Sequence, residues 1–463
     1  MEASVADEIF SRSVRIERPA AEVFAWHERD GAFARLCPPW ERVEVTRHVG
    51  GIRDGARVSL RTKVGPVWAK WEIEHRDYVE GRQFRDVLLS GPFAKWEHLH
   101  SVEPAGENAC VLTDEIRYRL PLGALGRWGG VAFTRRQLAR MFAYRHAVTK
   151  ADLEMPKQGA AKCVLLSGAS GLVGRTLVAL LRTQGHTVRT LVRRAARGAG
   201  EFAWNPATGT MDRTALVGVD AVVHLGGENV AGGRWTTARK AAILASRVEG
   251  TRTLAGGIAA MKVEQRPEVL VSAAAVGFYG ERGDERLGEE AGLGAGFLAE
   301  VCAAWEGELV AVEKLDVRTV ALRTGVVLTP AGGALAKMLP TMLAGVGGRL
   351  GSGRQWMSWI TPDDLGALYL RAVTDSAWRG AFNAVAPEPV TNAELTATLA
   401  RVLRRPAVLP VPAAVLRLIF GEMAQETLLA STRAVPVRVA EAGFVWRHAE
   451  LEPALRHVLG RSA

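Results

Sequence analysis

A run of apolar residues that ends in three closely spaced glycines is the feature that most constrains the fold of this chain. Residues 162–167 read Lys-Cys-Val-Leu-Leu-Ser, which is typical of a buried strand, and glycines follow at positions 168, 171 and 174. Leucines with helical spacing come next, at positions 177, 180 and 181. A strand, a glycine turn and a helix in this order form the phosphate-binding unit of dinucleotide-binding folds. The spacing therefore predicts a dinucleotide site.

Each glycine has its own role in such a turn. Gly168 permits the tight turn, Gly171 lets a pyrophosphate approach the backbone, and Gly174 lets the helix pack closely on the strand. The N-terminus of the helix offers unpaired N–H groups and a partial positive charge to the phosphates. The predicted loop also includes Ser170, Leu172 and Val173.

Length and composition exclude several classes of protein. A chain of 463 residues exceeds one ordinary core, so two or three domains are expected. The 48% hydrophobic and 23% charged residues are typical of a globular protein and argue against broad disorder. We find no N-terminal signal pattern and no apolar run of membrane-spanning length, so we expect no integral membrane association.

The net charge of +10 raises the question of a nucleic-acid partner. The excess consists of arginines spread along the chain, and no nucleic-acid-binding motif accompanies them, so we expect no nucleic-acid partner. Attraction of phosphorylated cofactors accounts for the charge equally well. The four cysteines are scattered without a CxxC pair, which predicts free thiols, no zinc site and a cytoplasmic location.

Residues 1–155 form the first predicted domain. An alternating strand over residues 9–17 precedes a short helix that Pro19 opens, and strand-like runs separated by turns follow from 43 to 120. A long helix is predicted over residues 124–153. This order predicts an α+β helix-grip domain, in which a curved sheet holds the long helix around an internal cavity. Residues 156–161 are the predicted linker.

Two segments of this domain carry a resemblance. Residues 93–98 (Phe-Ala-Lys-Trp-Glu-His) and 112–118 (Leu-Thr-Asp-Glu-Ile-Arg-Tyr) resemble the START-like (SRPBCC, polyketide cyclase/dehydrase-type) superfamily. The resemblance implies binding of an apolar small molecule or lipid in the cavity, and it names no fixed catalytic residue.

Trp96, His98 and His100 alternate along one predicted strand, so their side chains share one face. One interpretation is a metal or acid/base site within the cavity, and the other is polar decoration of a sheet face. Because spacing places no carboxylate or third ligand beside them, the sequence favours polar decoration. We therefore predict no metal site.

From residue 162 onward, short apolar strands alternate with helical stretches. Strands are predicted at 188–192, 221–225, 269–272 and 318–322. This pattern predicts an α/β Rossmann-like, doubly wound parallel sheet over residues 162–390. Beyond it, residues 391–463 are helical and interrupted by prolines, which predicts a small C-terminal helical lobe that closes over the cofactor.

Charged and small residues at two strand ends refine the cofactor prediction. The second strand ends at Arg193 and Arg194, where an acidic residue would favour NAD and an arginine can pair with a 2′-phosphate. We therefore predict NADP(H), the alternative being that these arginines are solvated loop charges. The third strand ends in the segment Leu225, Gly226, Gly227 and Glu228, which we expect beside the adenosine. The Glu228 carboxylate either contacts ribose or caps the following segment.

Further motifs resemble the epimerase-like atypical branch of the short-chain dehydrogenase/reductase superfamily, the NAD-dependent epimerase/dehydratase family. They span residues 168–174, 226–229, 246–247, 272–280, 322–328 and 351–364, and residues 409–412 with 421–423 resemble the C-terminal module of that group. The resemblance implies that Arg247 and Arg323 contribute to the cofactor pocket. For Arg247 the alternative is a surface helix charge.

The departures from the family pattern concern the chemistry. Family enzymes use a tyrosine four residues before a lysine, and here Leu298 and Cys302 occupy those positions. Hydroxyls nearby come from Ser272 and Tyr279, and Tyr279 is the candidate proton donor, the alternative being a packed aromatic residue. Met357 also stands where related enzymes hold a diphosphate with arginine, which weakens any prediction of a nucleotide-sugar substrate.

Two functions are consistent with these observations. The first is an NADP(H)-dependent oxidoreductase or epimerase-like enzyme acting on a small carbonyl or alcohol, with an added domain that binds an apolar molecule. The second is a catalytically inactive NADPH-binding sensor coupled to the START-like domain. Neither hypothesis specifies the substrate, the reaction direction or the oligomeric state.

Overall fold

The computed structural model describes residues 7–121, 123–156 and 159–461. The chain divides into two compact units, one built mainly from residues up to 157 and the other mainly from residues 158–458. Residues 157 and 158 of the predicted linker lie outside the described residues. The further division of the second unit at residue 390 stays a prediction.

The first unit contains seven strands and three helices among the residues described. Its elements, in chain order, are β1 (Glu8–Ile16), α1 (Ala20–Glu28), α2 (Ala32–Leu36), β2 (Val43–Val49), β3 (Arg57–Val64), β4 (Val67–Val79), β5 (Gln83–Ser90), β6 (Lys95–Pro104), β7 (Cys110–Arg119) and α3 (Gly123–Glu154).

These strands form one antiparallel sheet in the order β1-β7-β6-β5-β4-β3-β2. Along β7 and the first nine residues of β6, buried residues alternate with more exposed ones, as expected for a sheet with one face toward a core. Leu138 and Phe142 of α3 pack on that inner face against Trp96 and Ile116. The predicted helix-grip architecture and long helix are thus confirmed.

A polar layer separates two apolar clusters on the inner face. Along β6, Trp96 belongs to one cluster and Val102 to the other, with His98 and His100 between them. Both imidazoles are buried, with exposed fractions of 3% and 8%. The sequence interpretation as polar decoration missed that neighbouring strands supply carboxylates, because strand register rather than sequence spacing places Asp114 beside them.

The second unit alternates strands and helices. Its elements are β8 (Cys163–Ser167), α4 (Leu172–Thr183), β9 (Thr187–Val192), β10 (Glu201–Asn205), β11 (Thr210–Met211), β12 (Ala221–His224), α5 (Thr237–Ala259), β13 (Val269–Ala275), β14 (Arg286–Leu287), α6 (Phe297–Gly307), α7 (Leu309–Glu313), β15 (Arg318–Thr324), β16 (Val326–Val327), α8 (Gly333–Leu343), β17 (Trp356–Met357), β18 (Trp359–Ile360), α9 (Pro362–Thr374), β19 (Gly380–Ala384), β20 (Val390–Thr391), α10 (Asn392–Leu403), α11 (Ala413–Phe420), β21 (Arg433–Ala434), α12 (Val437–Glu441) and α13 (Leu451–Leu459).

The main sheet has the order β11-β10-β9-β8-β12-β13-β15-β19 and is parallel except for the edge pair β10–β11. The predicted doubly wound parallel sheet is confirmed. Its strand order reverses between β8 and β12, and ligands of such sheets bind outside the carboxyl ends of the strands at this switch point. The glycine loop after β8 lies at that position.

The sequence identified the most apolar strands of the main sheet and missed two less apolar ones. Strands β9, β12, β13 and β15 lie where the sequence predicted them, within one to three residues at their ends. Strands β10 and β19 were not predicted, because β10 alternates only weakly and β19 begins with glycine and contains a buried asparagine. Among the described residues, no helix combines the length and apolarity needed to cross a membrane.

Candidate dinucleotide site

The loop between β8 and α4 has room only for glycine at its first position. Gly168 has φ of +77°, in the left-handed region that glycine adopts without strain. A Cβ here would lie 2.9 Å from the carbonyl carbon of Leu225 and 3.1 Å from the nitrogen of Gly226. The loops after β8 and β12 are therefore in backbone contact, as the predicted site requires.

The second and third glycines close the turn against the helix. The N–H of Gly171 donates to the carbonyl of Gly168 at 3.0 Å. A Cβ on Gly174 would lie 2.2 Å from the same oxygen and 2.8 Å from Cα of Ala169. The helix thus packs backbone to backbone on the turn, which is the role assigned to the third glycine.

The N-terminus of α4 carries no neutralising charge of its own. The helix begins at Leu172, next to Val173, and its first turn contains no acidic residue. The N-terminus of α6 differs, because the Glu426 carboxylate accepts hydrogen bonds from the N–H groups of Phe297 and Leu298 at 3.0 and 2.8 Å. The positive end of α4 therefore remains available to an anion. Ser170 is exposed on the same loop.

The guanidinium of Arg247 contacts the backbone of the loop after β12. Its guanidinium donates to the carbonyl oxygen of Glu228 at 3.2 Å, and a Cβ on Gly227 would lie 3.2 Å from its Cζ. The Glu228 N–H donates to Ser246 Oγ, and the Glu228 carboxylate pairs with Arg239 at 3.3 Å. Arg247 thus contacts the loop and is not a surface charge, and its contact with a cofactor stays a prediction.

A buried serine–histidine pair at the switch point was not predicted from the sequence. Ser167 Oγ and His224 Nδ1 lie 2.6 Å apart at the ends of β8 and β12. Burial lowers the pKa of His224 to about 4, so the imidazole is neutral at neutral pH. A Cβ on Gly250 would lie 2.9 Å from this ring, which leaves it no space to move. The pair fixes the carboxyl ends of the two strands that carry the loops.

The two arginines after β9 differ in their surroundings. Arg194 is held by Glu201 through two hydrogen bonds of 2.7 and 2.6 Å. Arg193 is exposed and has no hydrogen-bond or ion-pair partner among the residues that the structure describes. Of the two, Arg193 is therefore the side chain available for a 2′-phosphate.

Tyr279 lies inside a buried hydrogen-bond network. Its side chain is fully buried, and its hydroxyl donates to Asn383 Oδ1 at 2.7 Å and accepts from Arg323 Nη1 at 3.0 Å. Burial raises the pKa of this hydroxyl. Arg323 also binds Glu306 through two hydrogen bonds and lies 3.6 Å from the ring centre of Phe278.

This network concerns two predicted roles, that of Arg323 at the cofactor and that of Tyr279 as proton donor. Four of the five N–H groups of Arg323 are directed at Glu306, Tyr279 and the carbonyl of Glu289, so its guanidinium is held in the protein interior, and its contribution to the cofactor pocket stays a prediction. The Tyr279 hydroxyl likewise faces Asn383 and not solvent.

The remaining hydroxyl is also buried, as is one member of the replaced tyrosine–lysine pair, Cys302. Ser272 is 1% exposed, and its Oγ donates to the carbonyl of Ala273. Leu298 and Cys302 lie on α6 and face Gly277, because a Cβ added there would lie 3.4 Å from Leu298 Cβ and 3.8 Å from Cys302 Sγ. Burial raises the pKa of Cys302 to about 12, so its thiol is not an acid–base group at neutral pH.

A sheet of this topology, with a glycine loop at its switch point, defines a dinucleotide-binding α/β protein. Residues 164–384 match the model of the NAD dependent epimerase/dehydratase family. The chain belongs to this family. Residues 8–154 match the model for polyketide cyclase / dehydrase and lipid transport, and residues 411–458 match a domain of unknown function.

Individual relatives agree with this assignment. An epimerase family protein of Mycobacterium tuberculosis is 42% identical over 298 residues, which cover 64% of this chain and 98% of that protein. The solved structure of a nucleoside-diphosphate sugar epimerase from Corynebacterium glutamicum is 33% identical, has a TM-score of 0.79, and covers 97% of this chain and 90% of its own. The human epimerase family protein SDR39U1, solved with NADPH, is 31% identical with a TM-score of 0.58, over 64% of this chain and 98% of its own.

Proposed function

We propose that this protein is an NADP(H)-dependent oxidoreductase or epimerase-like enzyme that acts on a small carbonyl or alcohol. The observation that carries the proposal is the glycine loop, where a Cβ at Gly168 or Gly174 would overlap backbone atoms. The start of α4, whose first turn contains no acidic residue, adds the positive potential that a pyrophosphate needs. The human relative solved with NADPH supports the same cofactor.

Different residues of the chain would bind different parts of such a cofactor. The backbone of residues 168–174 would hold the pyrophosphate, Arg193 would pair with the 2′-phosphate, and the loop of residues 225–228 would lie along the adenosine. A bound nicotinamide supplies the hydride acceptor or donor. Arg247 keeps the second loop in place through the Glu228 carbonyl.

The proton needed for such chemistry has two candidate sources on this chain. Tyr279 is the first, and its use requires that its hydroxyl exchange the Asn383 bond for a substrate oxygen. The alternative is a water molecule ordered in the pocket. The N-terminal unit would bind an apolar small molecule, as the description of its family model suggests, and the scattered free cysteines favour a cytoplasmic protein.

A second function is favoured by the buried state of every predicted catalytic hydroxyl. Tyr279 and Ser272 are 0% and 1% exposed, and Leu298 and Cys302 replace the tyrosine–lysine pair. A protein with these features would bind NADPH without turning it over, as a sensor coupled to the N-terminal unit.

One experiment separates the two functions. NADPH and NADH are titrated by fluorescence, and NADPH deuterated at one face of C4 is incubated with a panel of carbonyl compounds. Preferential NADPH binding with stereospecific transfer of deuterium supports the enzyme. Preferential binding without transfer supports the sensor, and no binding of either dinucleotide at millimolar concentration contradicts both.

A further inference from the structure

The polar layer of the first unit gathers four histidines and two aspartates from four strands and a helix. We call this group the His–Asp cluster: His75, Asp86, His98, His100, Asp114 and His146. Three pairs of directly opposite residues build it: His75 with Asp86, Asp86 with His98, and His100 with Asp114. Side chains opposite each other on one sheet face lie close together, so the backbone itself positions these groups.

Asp114 orients two of the imidazole rings. Its Oδ1 lies 2.8 Å from His98 Nε2 and 2.7 Å from His100 Nδ1, and its other oxygen contacts His146 Nε2. A carboxylate that accepts a hydrogen bond from one ring nitrogen of a histidine leaves the other ring nitrogen pointing away from the carboxylate. Metal-binding histidines are usually oriented in this way. The nitrogens left over are His98 Nδ1 and His100 Nε2.

These two remaining nitrogens converge on one oxygen of Asp86. His98 Nδ1 lies 3.6 Å and His100 Nε2 lies 3.4 Å from Asp86 Oδ2. Ligands bound tetrahedrally to zinc at 2.0–2.1 Å are about 3.3 Å from one another. The ligand atoms of these three residues all lie within 4.8 Å of one another. The two separations that involve Asp86 Oδ2 thus lie within a few tenths of an ångström of those around a shared zinc ion.

The other oxygen of Asp86 faces His75 without hydrogen-bonding alignment. His75 Nδ1 lies 2.7 Å from Asp86 Oδ1, yet both atoms are buried and neither makes a hydrogen bond. His75 is 6% exposed. Unsatisfied polar atoms in a buried site call for an ion or another partner.

The charge of the two carboxylates also favours a bound cation. Asp86 and Asp114 bring two carboxylates into a layer between two apolar clusters, where uncompensated charge is costly. One divalent cation offsets both when the surrounding imidazoles are neutral, which is the state that metal ligation requires. Imidazole nitrogens favour zinc and related transition metals over Mg²⁺ or Ca²⁺, which prefer oxygen ligands.

We propose that the His–Asp cluster binds one divalent transition metal ion, Zn²⁺ being the best match, through His98 Nδ1, His100 Nε2 and Asp86 Oδ2. Asp114 is the positioning residue behind the two imidazoles. Three protein ligands leave a fourth coordination position for water or for an oxygen atom of a small molecule. This inference concerns the first unit alone and does not depend on the dinucleotide site.

The test uses the full chain without a histidine tag. Chelator-treated protein is incubated with Zn²⁺ or Mg²⁺, passed through gel filtration and analysed for metal by mass spectrometry. We expect retention of Zn²⁺ but not Mg²⁺ by the wild type, loss of that Zn²⁺ in Asp86→Asn and His100→Gln, and ten- to hundredfold weaker binding in Asp114→Asn, as for other groups that orient metal ligands. His48→Ala is the matched control, because His48 lies exposed on β2 of the same sheet.

A second candidate group, Asp363 with His448 and His457, requires its own variant. If His457→Gln removes all the bound zinc while Asp86→Asn retains it, the proposal is overturned. It is also overturned if wild-type protein retains no zinc, or if His48→Ala loses as much as His100→Gln. Should the cluster variants fail to fold, crystals of the wild type soaked in Zn²⁺ decide the question: an anomalous peak between His98 and His100 supports the site, and its absence there refutes it.

Discussion

Replacing Gly174 with alanine tests the packing of the glycine loop on its helix. A Cβ at this position would lie 2.2 Å from the Gly168 carbonyl oxygen, well inside the 3.0 Å that real Cβ atoms keep. The atoms in the way belong to the backbone of Gly168 and Ala169, so no side chain can rotate to relieve the overlap. The helix and the turn must therefore separate by nearly an ångström.

Two opposing effects set the magnitude. Alanine favours a helix over glycine by about 1 kcal/mol, while forcing an extra carbon into a packed site typically costs about 1–3 kcal/mol. Because rigid backbone is displaced at Gly174, we expect the upper part of the cost, and net destabilisation of about 1–2 kcal/mol. Moving the Gly168 carbonyl also moves the Gly171 N–H that is bonded to it, so affinity for NADPH should fall at least tenfold.

Gly256 provides the matched control. It lies in α5 of the same unit, and a Cβ there would have nothing within 4 Å. Gly256→Ala should therefore stabilise the protein by about 0.5–1 kcal/mol and leave NADPH affinity unchanged. Urea unfolding and NADPH fluorescence titration measure both quantities. Equal stability and equal affinity in the two variants would refute the close packing at Gly174.

Further substitutions test separate features. Arg193→Glu should weaken NADPH binding more than tenfold and leave NADH binding nearly unchanged, and equal loss for both in fluorescence titrations would show that Arg193 does not read the 2′-phosphate. Tyr279→Phe leaves buried polar partners unsatisfied and should cost about 1–3 kcal/mol in urea unfolding; full turnover in this variant would exclude its hydroxyl as proton donor. Glu426→Gln removes a charged cap and should lower stability by about 0.5–2 kcal/mol at low salt, an effect that must shrink in high salt if it is electrostatic. The pKa of His224 is about 4 in the folded protein against an ordinary 6.5, so the unfolded chain takes up the proton first as the pH falls. Stability is therefore lost between pH 6.5 and 4, by up to about 3 kcal/mol. His224→Gln should lack this part of the pH dependence, and parallel curves of stability against pH for the two proteins would contradict a neutral buried imidazole.

Local patterns predicted the sheet because buried parallel strands are continuous apolar runs. The segment from Cys163 to Gly174 contains the strand, the turn and the helix start within a dozen residues, so no distant contact is needed to identify it. Alternation similarly placed Trp96, His98 and His100 on one face of a strand, which is the inner face of the first sheet.

The contacts of individual side chains depend on partners that are distant in the sequence. Tyr279 is bonded to Asn383, which is 104 residues later, and no periodicity links the two positions. The contacts of Arg323 could not be predicted for the same reason, because its partner Glu306 lies on another element. The Ser167–His224 pair shows one usable signal, since both residues end apolar strands that are neighbours in the switch-point topology.

The His–Asp cluster illustrates what register adds to spacing. The alternation of His98 and His100 placed both on one face, yet the distances in sequence to Asp86 and Asp114 carry no information by themselves. Only the pairing of β5, β6 and β7 brings these carboxylates opposite the imidazoles.

The Glu426 carboxylate has a consequence for how members of this family can exchange parts. It belongs to the segment matched by the domain of unknown function, and it holds the first N–H groups of the helix that carries Leu298 and Cys302. If the C-terminal segment came from a relative without this glutamate, the first N–H groups of that helix would lack their carboxylate acceptor. Recombination between relatives should therefore succeed when helix and tail come from one parent and fail more often when they come from two.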